Sequence, residues 1–299
     1  MASARPLSFP RLSARPAPAV PAARLVVGKP VEDAAELLPR LFNLCRAAQG
    51  TAARLALGLQ LAEGWQETMR QEILRDHLLR LFLVWPGRLG LGAGAPPAGR
   101  EHDAGAAARA VFGPAARAPA TPEALAAFLC SGHGVAPVLS RIGAAFAPGE
   151  AAAALPFVTP ETALTPGAVD NSVAARHAEH PALRALADRH GRGPLWRAAA
   201  RLFDIAACLD GSLPAPATPA PGVALVPAAR GLYAVRAKTR DGRVAAFARV
   251  TPTDHLLAPG GVLAHSLATL PAEKAGLAPL VLDILDPCSP VRLEEGNDA

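Results

Sequence analysis

The tetrapeptide Arg240-Asp241-Gly242-Arg243 sets one piece of architecture before anything else is known of this chain. Asp-Gly is a favoured centre for a two-residue hairpin turn, because both central positions need a positive φ. The turn sits between residues 232–239 and 244–250, where apolar and polar positions alternate. Two strands must therefore fold back antiparallel, and Pro252 ends the second. Elsewhere the pattern is helical. Alanine is abundant and aromatics make up only 4%, so the core must be built from Leu, Ala and Val, a mixture that favours helix. The 31 prolines and 26 glycines cut those helices short. The expected fold class is α+β: a mostly helical single domain with a small antiparallel sheet.

Along the chain, residues 1–22 read as a disordered lead-in, 23–292 as the domain and 293–299 as a polar tail. A short strand is expected at 24–27 and a helix at 31–47. A longer helical region should cover 51–84, with Leu55, Leu59, Trp65, Met69, Ile73 and Leu81 on its apolar face. Helices are expected at 103–112, 122–130, 135–145, 172–189, 194–210 and 260–268, with a further segment at 276–285. Residues 148–171 and 214–221 are proline-punctuated connections. The glycine-rich stretch 87–94 follows a predicted helix and runs into Pro96-Pro97, the wrong setting for a dinucleotide loop.

Composition excludes several classes. The net charge is +5, but the arginines are scattered and interleaved with acids, so no nucleic-acid surface is expected. No apolar stretch is long and uncharged enough to span a membrane. The first 30 residues lack the apolar centre of a secretory signal. Four cysteines, at 45, 130, 208 and 288, are too few for a disulfide scaffold in a chain of 299 residues, and a reducing cytoplasmic setting is the simpler expectation.

Two fragments stand out. One is Arg40-Leu41-Phe42-Asn43-Leu44-Cys45; the other is Asp286-Pro287-Cys288-Ser289-Pro290-Val291. Each looks like half of a two-cysteine metal motif. Thiolates are soft ligands suited to iron, nickel and zinc. Two of them alone bind weakly, since stable sites use three or four ligands. Read by themselves, the two cysteines are either inert buried thiols or the ligands of a weak site. His177 and His180, three apart on a predicted helix, read as a solvated polar face or a metal pair. Cys130-Ser-Gly-His133 reads as a helix end, and Cys208 as core.

In order and context the two fragments resemble the large subunit of [NiFe] hydrogenases. That family carries R-x-C-G-x-C-x3-H near its N-terminus and D-P-C-x2-C-x2-H/R near its C-terminus. Aligned on Arg40, the first cysteine position holds Phe42 and the second Cys45, and the histidine position holds Gln49. Aligned on Asp286, the cysteine positions hold Cys288 and Val291. Ala228-Ala229-Arg230-Gly231 is similar to the family's A-P-R-G, whose arginine lies over the metal centre. Asp286 matches an acid beside it. Residues 250–254, Val-Thr-Pro-Thr-Asp, resemble its V-x-P-S/T-x-W segment.

Two of the four thiolates are thus replaced by apolar residues, and only 11 residues follow Cys288. The pattern resembles the HupK/HoxV-type hydrogenase expression proteins, which look like truncated large subunits. The resemblance implies no enzyme and no nickel. It implies a scaffold that transiently holds an Fe(CN)2CO fragment through Cys45 and Cys288. Arg230 would donate hydrogen bonds to a cyanide, and Asp286 would orient Arg230. The implied partners are Hyp-type maturation proteins and the hydrogenase large-subunit precursor. The alternative is a metal-free, large-subunit-like protein that acts through protein contacts alone, as a placeholder or regulator.

Overall fold

A computed structural model of the chain describes residues 11–18, 20–92 and 103–296. Helices α1 (Ala22–Val26), α2 (Val31–Leu37), α3 (Arg46–Ala56), α4 (Trp65–Leu79) and α5 (Trp85–Arg88) form the first part. Helices α6 (Ala104–Phe112), α7 (Pro122–Cys130) and α8 (Ala136–Ala145) follow, then α9 (Val173–Arg176), α10 (Pro181–His190) and α11 (Pro194–Asp210). The last are α12 (Pro252–Leu256), α13 (Val262–Ala268) and α14 (Ala278–Leu285). Strands β2 (Val223–Ala228), β3 (Gly231–Arg240) and β4 (Arg243–Val250) make an antiparallel sheet in that order. A separate two-stranded ribbon pairs β1 (Arg11–Pro16) with β5 (Val291–Gly296). Among the described residues, no helix is long and apolar enough to cross a membrane.

Helix α11 is the axis of the molecule. Pro194 at its first turn and Gly211 beyond its end, at φ 79°, delimit it as helix chemistry prescribes. Helices α4, α8, α9, α10 and α14 pack around it. Trp196, Leu202 and Ile205 are buried, and so are Arg197, Arg201 and Asp204. These three charged residues recur at i, i+4 and i+7, which places them on one face. Buried charges persist only when paired. Arg197 forms a two-pronged pair with Asp170, at 3.2 and 2.9 Å. Arg201 reaches Asp286 at 2.9 Å and His77 at 2.7 Å. Asp204 bonds His77, Arg176 and His177, each at 2.7 Å.

The structure departs from expectation where distant segments pair. Strand β1 occupies 11–16, inside the expected disordered lead-in, and β5 takes up most of the expected polar tail. Their partners lie at opposite ends of the chain, so neither is legible from local pattern. Residues 1–10, 19, 93–102 and 297–299 lie outside the described residues, and with them the end of the glycine-rich stretch. Residues 24–27 fall largely in helix α1 instead of a strand, because Val26 turns into the core there. The expected helix at 31–47 stops at a 3-10 turn, Leu38–Arg40, and the next begins at Arg46. The 51–84 region breaks between Ala56 and Trp65, where Gly58 and Gly64 take positive φ. It ends in a π-helical turn, Arg80–Val84. The predicted 172–189 helix splits into α9 and α10 at Pro181. The Asp-Gly hairpin forms with Arg240 paired to Arg243, and Asp241 and Gly242 both take positive φ. Strand β2 adds to it.

Candidate functional site

The site is assembled at the ends of elements. Cys45 is the residue before helix α3, with φ 54° and ψ 37°, a left-handed conformation that non-glycine residues rarely adopt. The short loop ahead of it is tied down from within. Gln49 Nε2 donates to the Leu44 carbonyl at 2.9 Å, and Arg46 Nε donates to the Phe42 carbonyl at 2.9 Å. The free N–H groups of the helix end are met by Glu72 of α4, which accepts from Ala47 and Ala48 at 2.9 and 3.3 Å. Burial raises the carboxyl pKa of Glu72, against the pull of those backbone donors.

Arg230 occupies the tight turn between β2 and β3, where Ala228 pairs with Gly231. Two supports hold that turn. Arg176 Nη2 donates to the Ala228 and Gly231 carbonyls at 2.7 and 2.8 Å. The Asn171 side chain both donates to and accepts from the backbone of Leu232, at 2.8 and 2.7 Å. Gly231 has φ 144°, and a Cβ there would lie 2.5 Å from Asn171 Oδ1 and 2.6 Å from its carbonyl oxygen. Gly231→Ala should therefore cost about 1–3 kcal/mol in backbone strain alone, with the clash added. The check is a thermal melt, and an unchanged Tm would show that the turn can yield.

From this turn the Arg230 guanidinium reaches three groups. Nη1 lies 3.4 Å from Cys45 Sγ and 3.1 Å from Asp76 Oδ2, and Nη2 donates to Asp286 Oδ1 at 3.2 Å. It is buried, and its Nε has no hydrogen-bond partner. Burial works against its charge, but Asp286 and Asp76 hold its pKa above the ordinary arginine value.

Asp286 closes α14 in a left-handed conformation, φ 54° and ψ 60°. It is more than a turn former. Arg80 lies 2.5 Å away, Arg201 2.9 Å and Arg230 3.2 Å. Burial opposes its charge, yet these three guanidiniums hold its carboxyl below the usual range. Two residues on, the Cys288 N–H donates to Thr253 Oγ1 at 2.8 Å. Its sulfur lies 4.0 Å from Thr251 Oγ1, the residue that caps α12 in a capping box with Asp254. The Thr-Pro-Thr-Asp segment thus positions the second cysteine.

The Cys45 thiol is pushed up to about 12 by burial, against the attraction of Arg230; Glu72, Asp76 and Cys288 add to the rise. Cys45 is therefore a protonated thiol at neutral pH, and a metal that binds it must displace a proton. A cleft of about 120 Å³ opens over it, walled by Leu44, Arg46, Glu72, Arg75, Asp76 and Arg230. Phe42 and Val291 supply no ligand. Phe42 lies under the Arg249 guanidinium, 4.2 Å from the ring centre, and Val291 pairs with Pro16 in the ribbon. Among the described residues no group of three His, Cys, Asp or Glu side chains is arranged to hold a metal ion.

Sequence reasoning missed Asp76, Arg80 and Arg201, which complete the charge cluster. The available signal was two arginines and an aspartate at helical spacing inside an otherwise apolar segment, 194–210. His177 and His180 form neither a metal pair nor a solvated face. His177 bonds Asp204, while His180 accepts from the Ala182 N–H at 3.3 Å and stacks on Phe203 at 3.9 Å. Cys208 is buried, and Cys130 ends α7 exposed.

No family model matches the chain. It is 54% identical over 286 residues to the hydrogenase expression/formation protein HupK of Rhodobacter capsulatus, covering 95% of this chain and 93% of that protein. Local similarity, 38% over 77 residues, links it to the hydrogenase expression/formation protein HoxV of Cupriavidus necator, covering 24% of this chain and 20% of that one. Its fold is similar to a chain of an NAD+-reducing [NiFe]-hydrogenase in the H2-reduced state. That match has TM-score 0.50 and 17% identity, over 88% of this chain and 89% of the other.

Proposed function

The chain belongs to the HupK family of hydrogenase expression/formation proteins, and on that premise we propose that it is a non-catalytic holder of the Fe(CN)2CO fragment during [NiFe] hydrogenase maturation. The observation that carries this reading is the position of Arg230. One guanidinium spans Cys45 from the front of the chain and Asp286, two residues before Cys288, at the back. Cys45 and Cys288 would supply two thiolates to the iron. The unpartnered Nε of Arg230, with its two amino groups, gives a rigid donor set suited to a cyanide nitrogen.

Charge supports the same reading. Within the buried cluster the guanidiniums of Arg80, Arg201 and Arg230 meet the two carboxylates of Asp76 and Asp286, which leaves one positive charge in excess among these five groups. Two thiolates around an otherwise neutral iron dicyanide carbonyl bring two negative charges, which that excess offsets in part. Two protein ligands, in place of the three or four of a permanent site, suit a cargo that must leave again. The missing thiolates at positions 42 and 291 argue against nickel. The proteins that build the fragment, of the Hyp type, and the hydrogenase large-subunit precursor that receives it are the proposed partners.

The absence of a three-ligand group among the described residues favours a second reading, a metal-free protein that works by contacts alone. One experiment separates them. The protein is purified anaerobically from a host that makes the fragment and examined by infrared spectroscopy. Carbonyl and cyanide bands are expected in the wild type and not in Cys45→Ala/Cys288→Ala. A wild type as blank as the double variant would leave the metal-free reading in possession.

A further inference from the structure

Seven large apolar side chains are exposed among the described residues; one of them, Leu44, lines the Cys45 cleft, and two more, Leu79 and Leu83, lie further along the helix that walls it. Leu44, 37% exposed, is the residue before Cys45 and part of the cleft wall. Leu79 and Leu83, 38% and 42% exposed, lie on α4 and its π-helical continuation. Their spacing fixes their direction. Glu72, Arg75 and Asp76 of α4 line the cleft, and Leu79 follows Arg75 at i+4 and Asp76 at i+3. Side chains so spaced share one helix face. Leu83 extends that face by another turn. The wall of the cleft therefore continues outward as an apolar ridge.

A ridge of this kind has no role in the core that α4 builds, since Ile73, Leu74, Leu78 and Leu81 point the other way and are buried. Its rim is cationic: Arg46 and Arg75 are exposed and both belong to the cleft. Interfaces commonly combine an apolar centre with a charged rim that sets partner choice. We infer that Leu44, Leu79 and Leu83 form a docking ridge for the protein that delivers cargo to the Cys45 cleft. That partner presents an apolar face bordered by carboxylates to meet Arg46 and Arg75. Docked there, it covers the mouth of the cleft, so the cargo passes between the two proteins without crossing open solvent. The inference rests on the cargo reading above.

The test uses the full chain expressed where the fragment is made. Leu79→Asp/Leu83→Asp is compared with wild type for the intensity of carbonyl and cyanide bands per protein. Leu25→Asp/Val27→Asp serves as control, because those residues are similarly exposed, at 39% and 47%, on α1 and at its C-cap. The expected result is a drop of about tenfold or more in the ridge variant, with an unchanged Tm, unchanged free-thiol count and full loading of the control. Arg75→Glu should lower loading in the same direction. Equal loading of wild type and ridge variant overturns the ridge, as does an equal loss in the control. Conversion of a wild-type dimer into a monomer with loading intact also overturns it, since the ridge would then join two copies of this chain. A wild type without bands overturns the cargo reading itself, which keeps the two failures apart.

Discussion

Replacing Asp286 by asparagine should cost about 3–5 kcal/mol and lower Tm by about 10 °C. The size of the effect follows from what the carboxylate faces. Three guanidiniums converge on it, from Arg80, Arg201 and Arg230, and each is largely shielded from water. Asparagine keeps the shape but removes the charge and one acceptor oxygen, and its amide hydrogens would point at cations that can only donate. A buried pair adds little net stability when intact, but removing one partner strands the other. Here one residue serves three, of which Arg230 alone keeps a second carboxylate, that of Asp76. Differential scanning calorimetry at pH 7 is the check, and a loss under about 1 kcal/mol would mean that water or rearrangement replaces the carboxylate. The same variant should leave Arg230 held by Asp76 alone, 3.1 Å away, and so shift its guanidinium from its place beside Cys45. Cargo loading should therefore fall even in the fraction that stays folded.

How much of this was legible in the sequence depended on whether the signal was local. The Asp-Gly hairpin and helix 194–210 were readable because turn chemistry and helical spacing act over a few residues. The fragments around Cys45 and Cys288 were readable through resemblance, and Arg230 and Asp286 came with them. The ribbon was not readable, because Arg11–Pro16 acquires strand character only by pairing with Val291–Gly296. The charge cluster was half readable. Arg201 and Asp204 are charged misfits in an apolar helix that the sequence reading did not single out, and nothing local says that Arg201 meets Asp286 or that Asp204 meets His77. Asp76 and Arg80 read as ordinary polar positions on an amphipathic helix, and only packing of α4 against α11 and the β2–β3 turn gives them their roles.

The second large effect is expected at Asp204, and its pH dependence has a definite sign. His77 is buried between Arg201, 2.7 Å from Nδ1, and Asp204, 2.7 Å from Nε2. An arginine can only donate, so Nδ1 must accept and Nε2 must carry the proton that Asp204 receives. The imidazole is thus held neutral. Burial lowers its pKa, with Arg201 acting in the same direction, although the bond to Asp204 pulls the other way. Asp204 is held well below the carboxylate range by Arg176, His177 and His77, despite its burial. Both folded-state values are depressed, so the unfolded chain binds protons that the native state refuses. Stability from His77 is complete above about pH 6.5 and declines as the pH falls through that value; stability from Asp204 declines below about pH 4. Wild-type protein should therefore weaken already between pH 7 and 5.5. Asp204→Asn should lose about 3–5 kcal/mol at pH 7 by stranding Arg176. It should also disturb the Arg230 turn, because the same Arg176 guanidinium holds the Ala228 and Gly231 carbonyls. Denaturant midpoints measured from pH 8 to pH 4 decide both points. A wild-type midpoint that stays flat down to pH 5, or a variant as stable as wild type at pH 7, would show that this relay does not hold the site in place.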